Sequence, residues 1–223
     1  MFKGWSRPTG FYAKIIRPPL IYLPLLLILL THGACTKTVL VEGSLPTPLV
    51  KKIPARVGVY YSKEFRSYLH KEDLPQSGTY HIDLGDQNLN FFRNLSTALF
   101  TEVIEIDSPE LSDEQRLELD AIFIPKIVEY GFLVPAISTL AFHEVSIKYE
   151  IQLKDRYGKN LGDWAFVGYG KAESERFGSG AAVKEATVLA IRDGGARLAT
   201  EIAPFLSSVL DDAEVRQRKE LIR

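Results

Sequence analysis

A single cysteine in 223 residues leaves the chain no intramolecular disulfide and no thiolate metal site, in whatever compartment it folds. Histidine is almost as scarce: beyond His32 there are only His70, His81 and His143. The one suggestive spacing is His81-Ile82-Asp83, which would put both polar side chains on one face of a strand, where they read as polar residues facing water. The apolar run from Leu20 to Leu30 has eleven residues, well short of the roughly 20 that a membrane-crossing helix needs. No cluster of lysine and arginine is set among aromatics, so nothing points to nucleic acid and no such partner is expected. Catalytic motifs are lacking as well. Gly178-Ser179-Gly180 is only a fragment of a nucleophile turn and suits a helix start better. Lys184 lacks the glycine that precedes a phosphate-loop lysine, and Val183 stands where a dinucleotide fingerprint needs its third glycine. Glu102, Glu105 and Asp107 lie close together, but read as solvated charge at the end of an element. The sequence therefore predicts no catalytic residue, no cofactor and no metal.

What the amino terminus does contain is ordered. Lys3, Arg7, Lys14 and Arg17 give a basic start, no acidic residue precedes Glu42, and the uncharged run LIYLPLLLILL follows. That is the layout of an export signal. After it come Thr31-His32-Gly33-Ala34-Cys35, with small residues before the only thiol. This resembles the bacterial lipobox, although His32 stands where that motif usually carries an apolar residue. The resemblance implies cleavage after Ala34 and a diacylglycerol on the Cys35 thiol. Thr36, rather than aspartate, follows the cysteine, which by the same resemblance implies sorting to the outer membrane, facing the periplasm. Four of the 27 basic residues and none of the 28 acidic ones lie before Cys35, so the remaining chain carries 23 against 28. It is mildly acidic, which favours solubility.

The rest reads as one domain with flanks: signal peptide 1–34, lipidated cysteine and flexible tether 35–55, domain 56–206 and charged tail 207–223. The tether is inferred from Pro46, Pro48 and Pro54 and from the absence of a helical period. Arg56 to Ser62 and Thr79 to Leu84 read as strands. A helix follows Gly85-Asp86, capped by Asp86 or Asn88, with Leu89, Phe92, Leu95, Leu99 and Val103 near one face. Ser108-Pro109-Glu110 has helix-start chemistry, and Ala121 to Val128 reads as a buried strand. Val145 to Lys154 alternates strictly and, with Leu161 to Ala172, predicts an antiparallel hairpin turning at Asp155 to Asn160. Gly168 and Gly170 mark a bulge or close packing. A last helix runs from Ser179 to about Ile202, kinked or tightly packed at Gly194-Gly195 and ended or bent by Pro204. The fold class is α+β, a mixed and largely antiparallel sheet with helices packed on one side.

The order of RVGVYY at 56–61, NFFRNLSTALFTEV at 90–103, DAIFIPKI at 120–127, the Asp155 to Gly158 turn and the alanine-rich last helix, behind Cys35, resembles small envelope lipoproteins. These are the curli-secretion, polysaccharide-export and peptidoglycan-synthase-activator lipoproteins, whose domain resembles the anticodon-binding fold. The resemblance implies a non-catalytic binding or scaffolding component of an envelope assembly, secretion or transport complex. Membrane contact would run through the lipid, and the protein partner would be another envelope protein or a second copy. One segment invites contact directly: Tyr130 to Phe142, YGFLVPAISTLAF, carries no charge although it joins two strands. Phe132, Leu133, Ile137, Leu140 and Phe142 are the expected contact residues. The competing class is a lipid-anchored hydrolase acting on cell-wall or sugar substrates, which would need a polar pocket joining His81 or His143 to acids.

Overall fold

The computed structural model describes residues 36–45, 47–75, 77–136, 141–173 and 179–221. Cys35, Ile137 and Leu140 lie outside the described residues. Two sheets and four helices make up the described part. A three-stranded sheet has the order β1 (Thr36–Leu40), β4 (Gly78–Asp83), β3 (Leu69–Leu74), with β1 parallel and β3 antiparallel to β4. A five-stranded sheet has the order β5 (Phe100–Ile106), β2 (Ile53–Tyr60), β6 (Ala121–Leu133), β7 (Phe142–Asp155), β8 (Asn160–Glu173). Its first three strands are parallel and its last three antiparallel. The helices are α1 (Lys63–Arg66), α2 (Gly85–Leu99), α3 (Asp113–Glu118) and α4 (Ser179–Leu221). The expected α+β class with a mixed sheet is what forms.

Burial explains the pattern. Val145, Ile147, Tyr149, Ile151 and Leu153 all bury on the face of β7 that meets the helices, while Ser146 and Lys148 between them are exposed. In β6 the alternation splits two cores. Ala121 and Phe123 join the main core, whereas Ile122 and Ile124 join a smaller one with Ile106, Leu111 and Leu119 on the opposite face. Helix α2 presents Phe92, Leu95 and Leu99 to the main core and stops where Phe100 begins a strand, so Val103 belongs to β5 rather than to the helix. Neither expected residue caps it: Leu84 is the N-cap residue, Asp83 Oδ1 accepts from the Gly85 amide at 3.2 Å, Asp86 lies in the first turn, where a negative charge suits the helix dipole, and the buried Asn88 side chain donates to the Leu84 carbonyl. The capping chemistry near 108–119 also sits later than expected. Ser112 accepts from the Gln115 amide while the Gln115 side chain accepts from the Ser112 amide, so α3 starts at Asp113.

The largest departure concerns the segment expected to be a flexible tether, of which residues 36–41 and 53–55 belong to strands or the core. Thr36 through Leu40 pair residue for residue with Thr79 through Asp83. Val39 and Val41 are core residues. Gly43 and Gln87 exchange two hydrogen bonds, and the Arg192 guanidinium donates to the Ser44 carbonyl. Domain structure is therefore already present at Thr36, the first described residue, twenty residues before the expected start at 56. The last helix is longer than expected, reaching Leu221 rather than about Ile202. Helix α4 runs through Pro204, because Phe205 packs on Trp164 at 5.3 Å between ring centroids and Leu206 is fully buried. That packing offsets the one backbone hydrogen bond a proline removes.

Candidate functional site

The polar groups that converge do so at one end of the domain. Lys37 on β1 donates to the Ser77 carbonyl at 2.9 Å and to the Tyr80 hydroxyl at 3.1 Å. Tyr80, early in β4, has its hydroxyl 2.8 Å from Ser179 Oγ at the start of α4. The same Ser179 oxygen lies 3.3 Å from Nε2 of His143, the second residue of β7. Ser179 and His143 were readable in the sequence only as a helix cap and an isolated histidine. They stand 36 residues apart, on β7 and at the start of α4, and no spacing signals that they meet. His81 is elsewhere in function: it is a half-buried residue of β4 opposite Lys71 and Thr38. Among the described residues no group of three histidine, aspartate, glutamate or cysteine side chains is placed to hold a metal.

His143 is only 1% exposed, and burial, followed by the nearby Lys37 ammonium, lowers its pKa from the ordinary 6.5. The sign for stability follows. The unfolded chain protonates first as pH falls through about 6.5, so stability is full above that value and declines below it until the folded-state pKa is reached. Urea midpoints should therefore fall between pH 7 and pH 5, and His143→Gln should flatten that slope. Deeper in the core, burial pushes the Tyr130 and Tyr149 hydroxyls well above the usual tyrosine pKa. Their hydroxyls bond to Thr187 Oγ1 and Asn88 Oδ1, so both are satisfied structural groups.

The apolar connection expected to make contacts is divided. Phe132 is 6% exposed, and its ring lies 5.1 Å from that of Tyr80, so it packs in the core of the domain. The alternation of β6 puts it inward. Leu133, the next residue, points outward and is 44% exposed. Phe142 is half-buried beneath the Lys171 ammonium, 3.7 Å from the ring centroid. A separate cavity of about 500 Å³ opens where β2 ends and β6 runs on, lined by Tyr60, Phe65, Tyr68, Ile124, Lys126 and Ile127 among others. Neither His81 nor His143 lines it. Beside it the outer face of β6 to β8 is open, with Val128, Val167 and Tyr169 exposed on it. The edge of β8 is not open along its length, because Asp193 of α4 accepts from the Tyr169 amide at 3.0 Å.

Fold and site together define a two-sheet α+β domain with a long helix across one face, a polar cluster beneath one end and an apolar hairpin connection at that end. No family model matches the chain, and no curated protein matches it. Among solved structures it is similar to a Xanthomonas campestris protein of the DUF330 family, with 12% identity over 82% of this chain and 99% of that one and a TM-score of 0.47. It is also similar to a Helicobacter pylori homolog of neuraminyllactose-binding hemagglutinin, with 11% identity over 80% and 100% of the two chains and a TM-score of 0.49. A minor lipoprotein from Acinetobacter baumannii is similar at 9% identity over 69% and 94%, with a TM-score of 0.36. At these identities and scores the likenesses assign neither a family nor an activity.

Proposed function

We propose that the protein is a lipid-anchored, non-catalytic binding component of the bacterial envelope, held by diacylglycerol on Cys35 and facing the periplasm, with sorting to the outer membrane. The observation that carries this reading is the sequence around Cys35: a basic start, an apolar run too short to span, small residues, and then the only thiol in the chain. The mechanism is tethered recognition. The anchor confines the domain to a surface and so raises its effective concentration toward other envelope proteins. The open face of β6 to β8 and the adjoining cavity at Tyr60 offer such a partner a surface. Among the described residues no helix is long and apolar enough to cross a membrane. A hydrolase is the second reading, favoured by the His143 and Ser179 contact. Against it, the Ser179 hydroxyl is also engaged by Tyr80, and the imidazole is buried away from any cavity described above.

Intact mass of the protein from bacterial membranes tests the anchor. The expected mass is that of a chain starting at an acylated Cys35, while Cys35→Ala should carry no acyl mass. A wild-type chain that retains Met1 without lipid, or is cut elsewhere, overturns the proposal.

A further inference from the structure

The first residue of β1, the last of β6 and the first of β7 lie at one end of the domain. Thr36 pairs with Thr79 beside the β3–β4 turn. Lys37, Tyr80, Ser179 and His143 are linked by the hydrogen bonds given above, and His143 follows the first residue of β7. The Tyr80 ring also touches that of Phe132, the penultimate residue of β6. What β6 and β7 present there is apolar. Leu133, Ala136 and Ala141 are exposed and Pro135 and Phe142 half-buried, without counting residues 137–140, which lie outside the described residues. The surrounding charges are mixed: Lys37 and Lys171 stand with Asp73, Glu144, which is 3.5 Å from Lys171, and Glu173, which pairs across the strands with Phe142. The apolar tip, rather than net charge, is therefore the feature that selects an occupant.

We infer that this end rests directly on the bilayer, with Leu133 and Phe142 in the lipid interface. The inference builds on the acylation of Cys35 proposed above. Its basis is the length of chain between lipid and fold. Thr36 is already paired, so the Cα of an acylated Cys35 is held about 3.8 Å from the first folded residue. A free segment of twenty residues would instead reach roughly 25 Å. Acyl chains leaving from this point bring the same end against the headgroups, where exposed apolar side chains leave water. Lys171 can lie along the Phe142 ring and still reach the headgroup layer with its ammonium. The β7–β8 turn at Tyr157 then stands away from the membrane, since the fourteen residues of β7 span about 45 Å.

The test uses the lipidated full protein carrying Leu133→Cys, Phe142→Cys or Tyr157→Cys. Acylation consumes the only native thiol, so each introduced cysteine is uniquely labelled. A nitrobenzoxadiazole probe is attached and the protein reconstituted in phosphatidylethanolamine and phosphatidylglycerol vesicles. Probes at 133 and 142 should shift to the blue and lose roughly half their intensity to doxyl-labelled acyl chains, while the probe at 157 should do neither. Leu133 is a surface residue, so its variant keeps the test valid even where Phe142→Cys folds poorly. Aqueous, unquenched emission from position 133 overturns the inference, and so does a response that appears only when an envelope protein is added. Intact mass of the same samples separates the two failures. A missing acyl group defeats the anchor and this inference with it, whereas an acylated protein with an aqueous probe defeats this inference alone.

Discussion

Gly170→Ala is expected to unfold the domain or to cost it at least about 3 kcal/mol, a fall of roughly 10 °C in Tm for a domain of this size. A Cβ at residue 170 would lie 2.0 Å from the Ala186 carbonyl oxygen and 2.5 Å from the Ala190 amide nitrogen. Both obstacles are helix backbone, so no rotamer change relieves them. The neighbouring Gly168 meets the Ala190 carbonyl oxygen at 2.1 Å in the same way. Helix α4 would have to lift off β8, and Val183, Ala186, Ala190 and Ile191 would lose their packing against the sheet. Gly158→Ala is the control. It has φ +86° but nothing within 4 Å, so only the backbone strain of about 1 kcal/mol applies. Thermal unfolding followed by far-ultraviolet circular dichroism checks both. Equal effects for the two variants would show that α4 does not lie on β8 as closely as described.

Val39→Asp is expected to cost about 3 kcal/mol or more, while the adjacent Leu40→Asp should change stability by less than about 0.5 kcal/mol. Val39 is 4% exposed in the main core, and Leu40 is 50% exposed on the outer face of the same strand. A carboxylate at 39 would be ionised among apolar side chains, or neutral at the cost of a shifted pKa. Urea unfolding of the two variants at pH 7 measures the difference. It also bears on the membrane geometry, because a free tether at 36–55 would leave both substitutions silent. Equal, near-zero effects would restore slack between lipid and domain and remove the reason for placing one end of the molecule on the bilayer.

The elements that were readable from the sequence are those whose burial pattern is local. β7 alternates in the sequence because one of its faces is buried and the other open, so period and environment coincide. The same holds for the helical spacing of Phe92, Leu95 and Leu99, and for the Asp155 turn, where the carboxylate accepts from the Tyr157 and Lys159 amides. β1 and β3 were not readable. TKTVL and LHKEDL bury few residues of their own and become strands only because β4 lies between them, 43 residues away from β1 in the Lys37 to Tyr80 contact. Prolines at 46, 48 and 54 disguised the fold further, since they permit an extended tether as readily as a loop tied down by Gln87 and Arg192.

The apolar segment shows the same division. Its lack of charge between Tyr130 and Phe142 is a property of the sequence, but whether a given residue faces the core or solvent depends on the phase of β6. A bulge between Ile127 and Glu129 sets that phase, and it turns Phe132 inward and Leu133 outward. By itself, then, the sequence determined the α+β class, the export signal layout, the single thiol at Cys35 and the scarcity of catalytic groups, because composition and local period carry those. Only the tertiary structure decided that Thr36 is already paired in a sheet, that His143 meets Ser179, and that the flanks of the apolar connection share an end with the chain leaving toward Cys35. Those facts are contacts between residues far apart in the chain, and no local pattern encodes which distant strand a segment will pair with.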